Sequence, residues 1–242
     1  MKVFRFAEVG STNDIAFEKL SAGEVPPFAI SAESQSKGRG RHGHTWISEK
    51  GNLFLSFALN PSDISKEGLG IFPQCFALLF VENLQASVQI KWPNDIFFNK
   101  RKVGGVLLET KFEKMQLKHV IFGVGVNVCS APDVKNVAGY AAGVLPMSED
   151  MNSVEKVENQ LIATLTRALS LAREKKMSDF LQKNWPKYDI FYGQKIFIRS
   201  NGQEFCGIDV GVDANGALMI KDENGGLHYF NSGESEIIID CW

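Results

Sequence analysis

The pattern of the sequence changes after Trp185-Pro186, and this change restricts the possible folds more than any other feature. Before it, helical and strand patterns both recur over long stretches. After it, short β segments are separated by Gly, Asn and Asp turns, at residues 194–199, 203–210, 217–221, 227–230 and 236–240. Such a series of short strands is typical of a small β-barrel. We therefore predict two domains, residues 1–187 and residues 188–242, the second of them a small barrel.

The first 187 residues predict an α+β domain. Alternating or β-branched runs predict strands at residues 3–9, 28–32, 52–59, 88–92, 96–98, 103–112 and 118–128. Apolar residues spaced by three or four predict helices at residues 72–84 and 153–175. Several N-cap residues at positions 11–14 predict a short helix that ends near Leu20. The predicted fold class is a mixed β-sheet flanked by helices.

Composition excludes several classes of protein. Hydrophobic residues make up 44% of the 242 residues and charged residues 22%, which is unlike a disordered chain. The net charge of −2 is unlike that of domains whose main role is to bind nucleic acid. The four cysteines lack metal-ligand spacing, and the longest apolar run, residues 75–81, is too short to span a bilayer. We predict a cytoplasmic protein that binds neither nucleic acid nor membrane.

A glycine-rich, basic segment interrupts the regular patterns between residues 33 and 51. Its centre reads Gln35-Ser36-Lys37-Gly38-Arg39-Gly40-Arg41-His42-Gly43-His44-Thr45-Trp46. Glycine lets the backbone approach a ligand closely, and the arginine fork matches carboxylate or phosphate oxygens. The segment therefore predicts an anion-binding loop, and the alternative is a solvated basic loop.

Two more segments place charged residues near strand ends. Lys91-Trp92-Pro93-Asn94-Asp95 ends in a carboxylate that is either a turn residue or a group that orients a lysine or a hydrated metal. Lys102 lies just before Gly104-Gly105. The two glycines would let a ligand lie against the strand while the ammonium reaches its charged end, unless they form only a β-bulge.

Glycines also alternate along the strand that ends in Asn127. Gly123 and Gly125 predict close backbone contact with a flat ligand, and the Asn127 amide has the donor and acceptor that an adenine edge requires. The alternative is a packed strand that ends in a polar turn residue. Spacing alone favours this alternative.

Taken in order, these blocks resemble the catalytic domain of biotin protein ligases. The resemblance rests on Ser11-Thr12-Asn13, Gln35 with GRGRHGHTW, KWPNDI, RKVGGVLLE and GVGVN, and it covers the chain from about Val3 to Val128. It implies a small C-terminal SH3-like β-barrel. It also implies the monofunctional class without a DNA-binding domain, since the chain begins directly at the first catalytic strand.

The resemblance implies a two-step reaction. Biotin and ATP, with Mg2+, would form biotinyl-5′-adenylate and pyrophosphate. A lysine of biotin carboxyl carrier protein, a part of acetyl-CoA carboxylase, would then attack the adenylate. The sequence does not decide whether the chain forms a homodimer.

The same resemblance implies roles for individual residues. The biotin-binding set comprises Ser11, Thr12, Asn13, Gln35, Gly38, Arg39, Gly40, Arg41, Lys102 and Gly105. The set for ATP and the adenylate comprises Arg39, Arg41, Trp46, Lys91, Lys102 and Asn127, with Trp46 as a wall between the two pockets. The catalytic set comprises Lys102, Arg41 and Asp95, and the metal ligands stay unknown.

The chain departs from the family pattern in its basic loop. His42 and His44 occupy positions that are commonly arginine, so the loop carries less permanent charge. Two alternatives stay open: a lipoate–protein ligase, and a non-catalytic module that binds biotin or a nucleotide. The presence of Arg41 and Lys102 argues against the second.

Overall fold

A computed structural model of the chain describes residues 1–84, 87–132, 140–146 and 154–238. In these residues, two β-sheets are joined through a layer of helices. The strands are β1 (Lys2–Val9), β2 (Phe28–Gln35), β3 (Leu53–Leu59), β4 (Gln89–Lys91), β5 (Asp95–Phe98), β6 (Arg101–Glu113), β7 (Gln116–Val126), β8 (Lys195–Ser200), β9 (Gln203–Val212), β10 (Leu218–Lys221), β11 (Leu227–Phe230) and β12 (Ser235–Ile238). The helices are α1 (Thr12–Ser21), α2 (Lys66–Glu82), α3 (Val154–Arg173) and α4 (Met177–Tyr188).

The large sheet is mixed, as predicted. Its strand order is β1-β2-β3-β7-β6-β5-β4, with β1 and β2 parallel and the other neighbours antiparallel. The register pairs Gly105 with both Asp95 and Gly125. Three of the polar motifs are therefore neighbours on adjacent strands, although they are separated along the chain.

The small sheet is antiparallel in the order β11-β10-β9-β8-β12. Within the described residues, β11 and β12 are its edges. The predicted short strands are confirmed, whereas closure into a barrel stays a prediction. The strand predicted at residues 236–240 extends beyond the described residues.

The hydrophobic core runs without interruption from one sheet to the other. Helix α2 is apolar on nearly every side and buries Phe72, Phe76 and Phe80 completely. The same cluster contains Ile198 and Leu218 of the small sheet. The boundary at residue 187 therefore stays a prediction, because both parts share one core.

Helix α4 was not predicted from the sequence, because Trp185-Pro186 was interpreted only as the point where the sequence pattern changes. Pro186 lies in the last turn of α4. There a proline removes one backbone hydrogen bond near the helix end. Leu181 and Trp185 are fully buried in the core that also contains α2, and this packing outweighs the unfavourable propensity.

Candidate functional site

A cavity of about 500 Å³ lies between the large sheet, the glycine-rich loop and the small sheet. Its walls include Asn201, in the turn between β8 and β9, and Glu236 of β12. Most of the residues predicted for the site line it, namely Ser11, Thr12, Asn13, Gln35, Arg39, Gly40, Arg41, Trp46, Lys91, Asp95, Lys102 and Gly105. The structure therefore brings these residues together.

Neutral hydrogen-bonding groups form one end of the cavity, beside β1, β2 and β3. Gln35 accepts hydrogen bonds from the backbone N–H of Thr12 at 2.8 Å and from its hydroxyl at 3.0 Å. The Ser56 hydroxyl bonds to both Thr12 and Asn13. Ser11 is the N-cap residue of α1 by position, yet its hydroxyl makes no capping hydrogen bond. This end can therefore present fixed donors and acceptors to an uncharged polar ligand.

Lys102 of β6 and Asp95 of β5 form an ion pair on the other side of the cavity. The ammonium lies 2.7 Å from Asp95 Oδ1 and 5.4 Å from the centre of the Trp46 ring. Both charged side chains are about one-fifth exposed, so ligand can reach the ammonium from the cavity. Of the two functional interpretations of Asp95, the structure favours a carboxylate that orients a lysine.

Lys91 is a buried cation at the same side of the cavity. Its ammonium lies 2.8 Å from the Tyr140 hydroxyl. Burial lowers the pKa of Lys91 to about 8, and the charge of Asp95 opposes this effect. An anion in the cavity would favour the protonated form, because it would replace part of the lost hydration.

Arg41 joins the loop to the small sheet. Its guanidinium donates to the Ser232 carbonyl and, at 3.4 Å, to Asn94 Oδ1. Burial lowers the pKa of Arg41, although arginine stays protonated in proteins. With Lys91 and Lys102, it makes this side of the cavity suited to a polyanion.

The alternating glycines of β7 accommodate the protein's own side chains. A Cβ atom at Gly125 would lie 2.7 Å from the Trp46 indole, and one at Gly123 would lie 2.7 Å from Asn13 Oδ1. Both glycines also line the large cavity, so their contact with a flat ligand stays a prediction. Among the described residues, the Trp46 indole is the flat group that lies on Gly125.

Gly38 and Asn127 lie outside the wall of the large cavity. Gly38 accepts a hydrogen bond from the Trp46 backbone at 3.0 Å. Asn127 donates to the Gly143 carbonyl at 3.0 Å and lines a second cavity of about 80 Å³ that also touches Trp46 and Lys102. Its Oδ1 atom is buried, and no partner for it exists among the described residues.

Trp46 lines both cavities, and its role as a wall between two ligand pockets stays a prediction. Ser56 and Tyr140 were missed in the sequence. Ser56 is the one polar residue within the apolar run of β3, and this break in the pattern is a signal that could have identified it. Tyr140 has no such signal, because only the fold places it beside Lys91.

No group of three or more His, Cys, Asp or Glu side chains that could hold a metal ion exists in the described residues. Among the described helices, none has the length and apolar character that crossing a membrane requires.

Comparison with known proteins identifies the family. The model of the biotin/lipoate A/B protein ligase family matches residues 6–127. The chain belongs to this family. A second model, the biotin protein ligase C-terminal domain, matches residues 191–236.

Several similar proteins are named as biotin ligases. The biotin–[acetyl-CoA-carboxylase] ligase of Paracoccus denitrificans is 30% identical over 229 residues, which cover 90% of this chain and 94% of that protein. The bifunctional ligase/repressor BirA of Escherichia coli is 28% identical over 222 residues, or 89% of this chain and 68% of BirA. The structure of the biotin protein ligase from Aquifex aeolicus in complex with biotin and ATP superposes with a TM-score of 0.77 at 26% identity, and covers 98% of each chain. The predicted enzyme class, a biotin ligase, and the predicted fold class are confirmed.

Proposed function

We propose that this chain activates biotin with ATP to biotinyl-5′-adenylate and transfers the biotinyl group to a specific lysine of biotin carboxyl carrier protein. The observation that carries this proposal is the division of one cavity into two chemically different sides. Thr12, Asn13 and Gln35 form a neutral polar side, with the buried Ser56 hydroxyl bonded to two of them, whereas Arg41, Lys91 and Lys102 form a cationic side. Biotin has a polar ureido ring and a carboxylate at the end of its chain, and this division matches both.

Residues on the cationic side would promote the first step by neutralising charge. In that step an oxygen of the biotin carboxylate attacks the α-phosphorus of ATP, and pyrophosphate leaves with the electrons of the broken P–O bond. Two anions must meet, so their repulsion has to be offset where they approach. We assign this role to Lys102. Its ammonium lies 2.7 Å from Asp95 Oδ1, and this contact orients it at the wall of the cavity.

In the second step, the acceptor amine attacks the biotinyl carbonyl. An amide bond forms, AMP leaves, and the amine loses a proton. The glycine-rich loop that carries Trp46 would exclude water from the adenylate during this transfer. Asn127 would face the adenine through the small second cavity, where its Oδ1 atom has no partner among the described residues.

Mg2+ is part of this proposal as a companion of ATP. The ion keeps several waters and binds through substrate phosphates with one or two carboxylates. Glu236 lines the cavity and fits this limited requirement, since the Asp95 carboxylate is paired with Lys102. When bound, the ion would neutralise phosphate charge, and the cationic residues would still position the carboxylate.

The cytoplasm as location, the carrier protein as acceptor and a homodimer stay proposals of the same kind. The reduced state of cysteines in that compartment suits Cys75, Cys129 and Cys206, which are free.

Mass spectrometry of an acceptor tests the function directly. The chain is incubated with ATP, a biotin carboxyl carrier domain, and either biotin or lipoate. We expect biotin-dependent modification of a single lysine, and no modification when that lysine is replaced by arginine. Lipoylation without biotinylation would instead support the lipoate–protein ligase alternative. Binding of biotin and ATP without adenylate would support the non-catalytic module.

A further inference from the structure

Glu109 belongs to the RKVGGVLLE motif but has no role in the proposed chemistry. It lies on β6 and accepts two hydrogen bonds from the Arg39 guanidinium, each 3.0 Å long. Asp14 of α1 accepts a third, 2.7 Å long. The forked geometry of the Glu109–Arg39 pair is that of the stronger ion pairs in proteins.

These contacts tie the loop to two separate elements. Arg39 lies in a short hairpin-like turn in which Gly40 donates to the His44 carbonyl at 2.7 Å and Trp46 donates to the Gly38 carbonyl at 3.0 Å. These two bonds join the two arms of the turn formed by residues 38–46. An anchor on Arg39 holds the whole turn, including the Trp46 indole that lies on Gly125.

The charges around Arg39 are unfavourable for a phosphate. Two carboxylates surround one guanidinium, so the cluster has a net charge of −1. The hydrogen bond to Asp14, followed by those to Glu109, raises the pKa of Arg39 above its usual range. At the other end of the cavity, Arg41 has no carboxylate partner within ion-pair distance among the described residues.

Glu109 also acts on the neutral side of the cavity. It accepts a hydrogen bond from Asn13 Nδ2. This bond leaves Asn13 Oδ1 facing the Ser56 hydroxyl. One carboxylate thus fixes both the loop and an amide that lines the site.

We infer that Glu109 is a positioning residue: together with Asp14 it holds Arg39, and through Arg39 it keeps the loop against the sheet before any substrate binds. Arg39 then serves as the anchor of the loop rather than as a phosphate ligand. Phosphate binding falls to Arg41, Lys91 and Lys102. The inference rests on the proposed function only where biotin is used as a probe.

Hydrogen exchange of residues 36–46 in the ligand-free protein tests the anchor. Glu109→Gln keeps the size of the side chain and removes its charge, so we expect exchange about five- to tenfold faster in this segment. Glu113→Gln is the matched control, since Glu113 lies on the same strand and pairs at 3.4 Å with the exposed Lys118. Asp14→Asn should act in the same direction as Glu109→Gln. Equal exchange in Glu109→Gln and Glu113→Gln would overturn the inference.

Two further readouts separate positioning from general destabilisation. The double variant Arg39→Gln/Glu109→Gln should show the same hydrogen exchange in residues 36–46 as Arg39→Gln alone, because Glu109 acts through Arg39. Additive effects of the two substitutions would contradict this. In adenylate formation, Glu109→Gln should raise the KM for biotin several-fold and leave kcat nearly unchanged, because the competent loop is less populated. A parallel loss of kcat and melting temperature would also overturn the inference. If wild type forms no biotinyl-adenylate, the proposed function fails and the exchange result still stands.

Discussion

Lys102 is the single residue on which the proposed first step depends most. Its ammonium is paired with Asp95 and its side chain is only about one-fifth exposed, so bulk water does not fully screen its charge. Lys102→Gln should lower biotin-dependent pyrophosphate exchange by about 10²- to 10⁴-fold while the fold persists. Lys118→Gln, at an exposed lysine of β7, is the control. Exchange within a few-fold of wild type would show that Lys102 does not join the two anions.

Gly125 gives a second prediction for a single residue. In Gly125→Ala the added Cβ would lie 2.7 Å from the indole of Trp46, so the indole must shift. We expect the KM for ATP to rise about tenfold, because Trp46 lines the cavity next to Asn127. Gly70→Ala is the control, since a Cβ there meets nothing within 4 Å. An unchanged KM for ATP would mean that the position of Trp46 is unimportant for the nucleotide.

The residues that could be predicted are those with motif signals, such as Gln35 and Lys102. The partner of each residue could not be predicted, because partners come from other strands. Glu109 illustrates this. Its motif was recognised, but its contact with Arg39 bridges 70 positions of the chain.

Among the elements, the glycine-rich loop connects the two sheets through Arg41. Its guanidinium contacts Asn94 of the large-sheet part and Ser232 near β12. Arg41→Gly removes this connection and makes the ordered loop entropically more costly. The first step should weaken less than in Lys102→Gln, whereas biotinyl-adenylate should dissociate faster. The released anhydride would then modify lysines of added albumin.

Filter binding measures adenylate release, and streptavidin blotting measures albumin labelling. Lys37→Gly is the matched control for loop flexibility, because Lys37 lies in the same loop outside the cavity wall. If Arg41→Gly releases the adenylate at the wild-type rate and labels no albumin, Arg41 does not retain the intermediate.

The elements themselves were predicted where periodicity was strong. Helix α3 extends over Val154–Arg173, close to the predicted residues 153–175, of which residue 153 lies outside the described residues. Helix α4 was missed because Pro186 locally disfavours a helix. In the folded protein, burial of Leu181 and Trp185 outweighs this local preference. Local patterns cannot report such packing energy.

On the scale of the whole molecule, a buried pair of carboxyls lies where the two sheets meet. Asp189 follows α4 and accepts hydrogen bonds from Trp185 Nε1 at 2.6 Å and from the Phe191 N–H at 3.0 Å. Asp209, on β9, accepts from the Gly211 N–H at 2.8 Å. No N–H or hydroxyl of the described residues donates to Asp209 Oδ2. The Asp189 carboxyl lies within hydrogen-bonding reach of Asp209, so a proton shared by the pair would satisfy both.

Burial raises the pKa of both carboxyls above the ordinary aspartate range, and the charge of Asp189 raises the pKa of Asp209 further. The folded protein therefore binds more protons than the unfolded chain once the pH exceeds about 4, the ordinary value for Asp. The stability contributed by the protonated pair is fully present below that value. It is lost as the pH rises through the raised pKa values of the folded state.

In the variant Asp209→Asn, the free energy of unfolding should depend less on pH. An amide at position 209 can keep the bond from Gly211 and donate its own N–H to Asp189, so the second buried charge disappears. We expect the free energy of unfolding at alkaline pH to exceed that of wild type by on the order of 2 kcal/mol. Asp189→Asn should instead destabilise at every pH, because both Asp189 oxygens already accept hydrogen bonds. Urea unfolding across the pH range measures both variants, and parallel curves for wild type and Asp209→Asn would show that the pair does not share a proton.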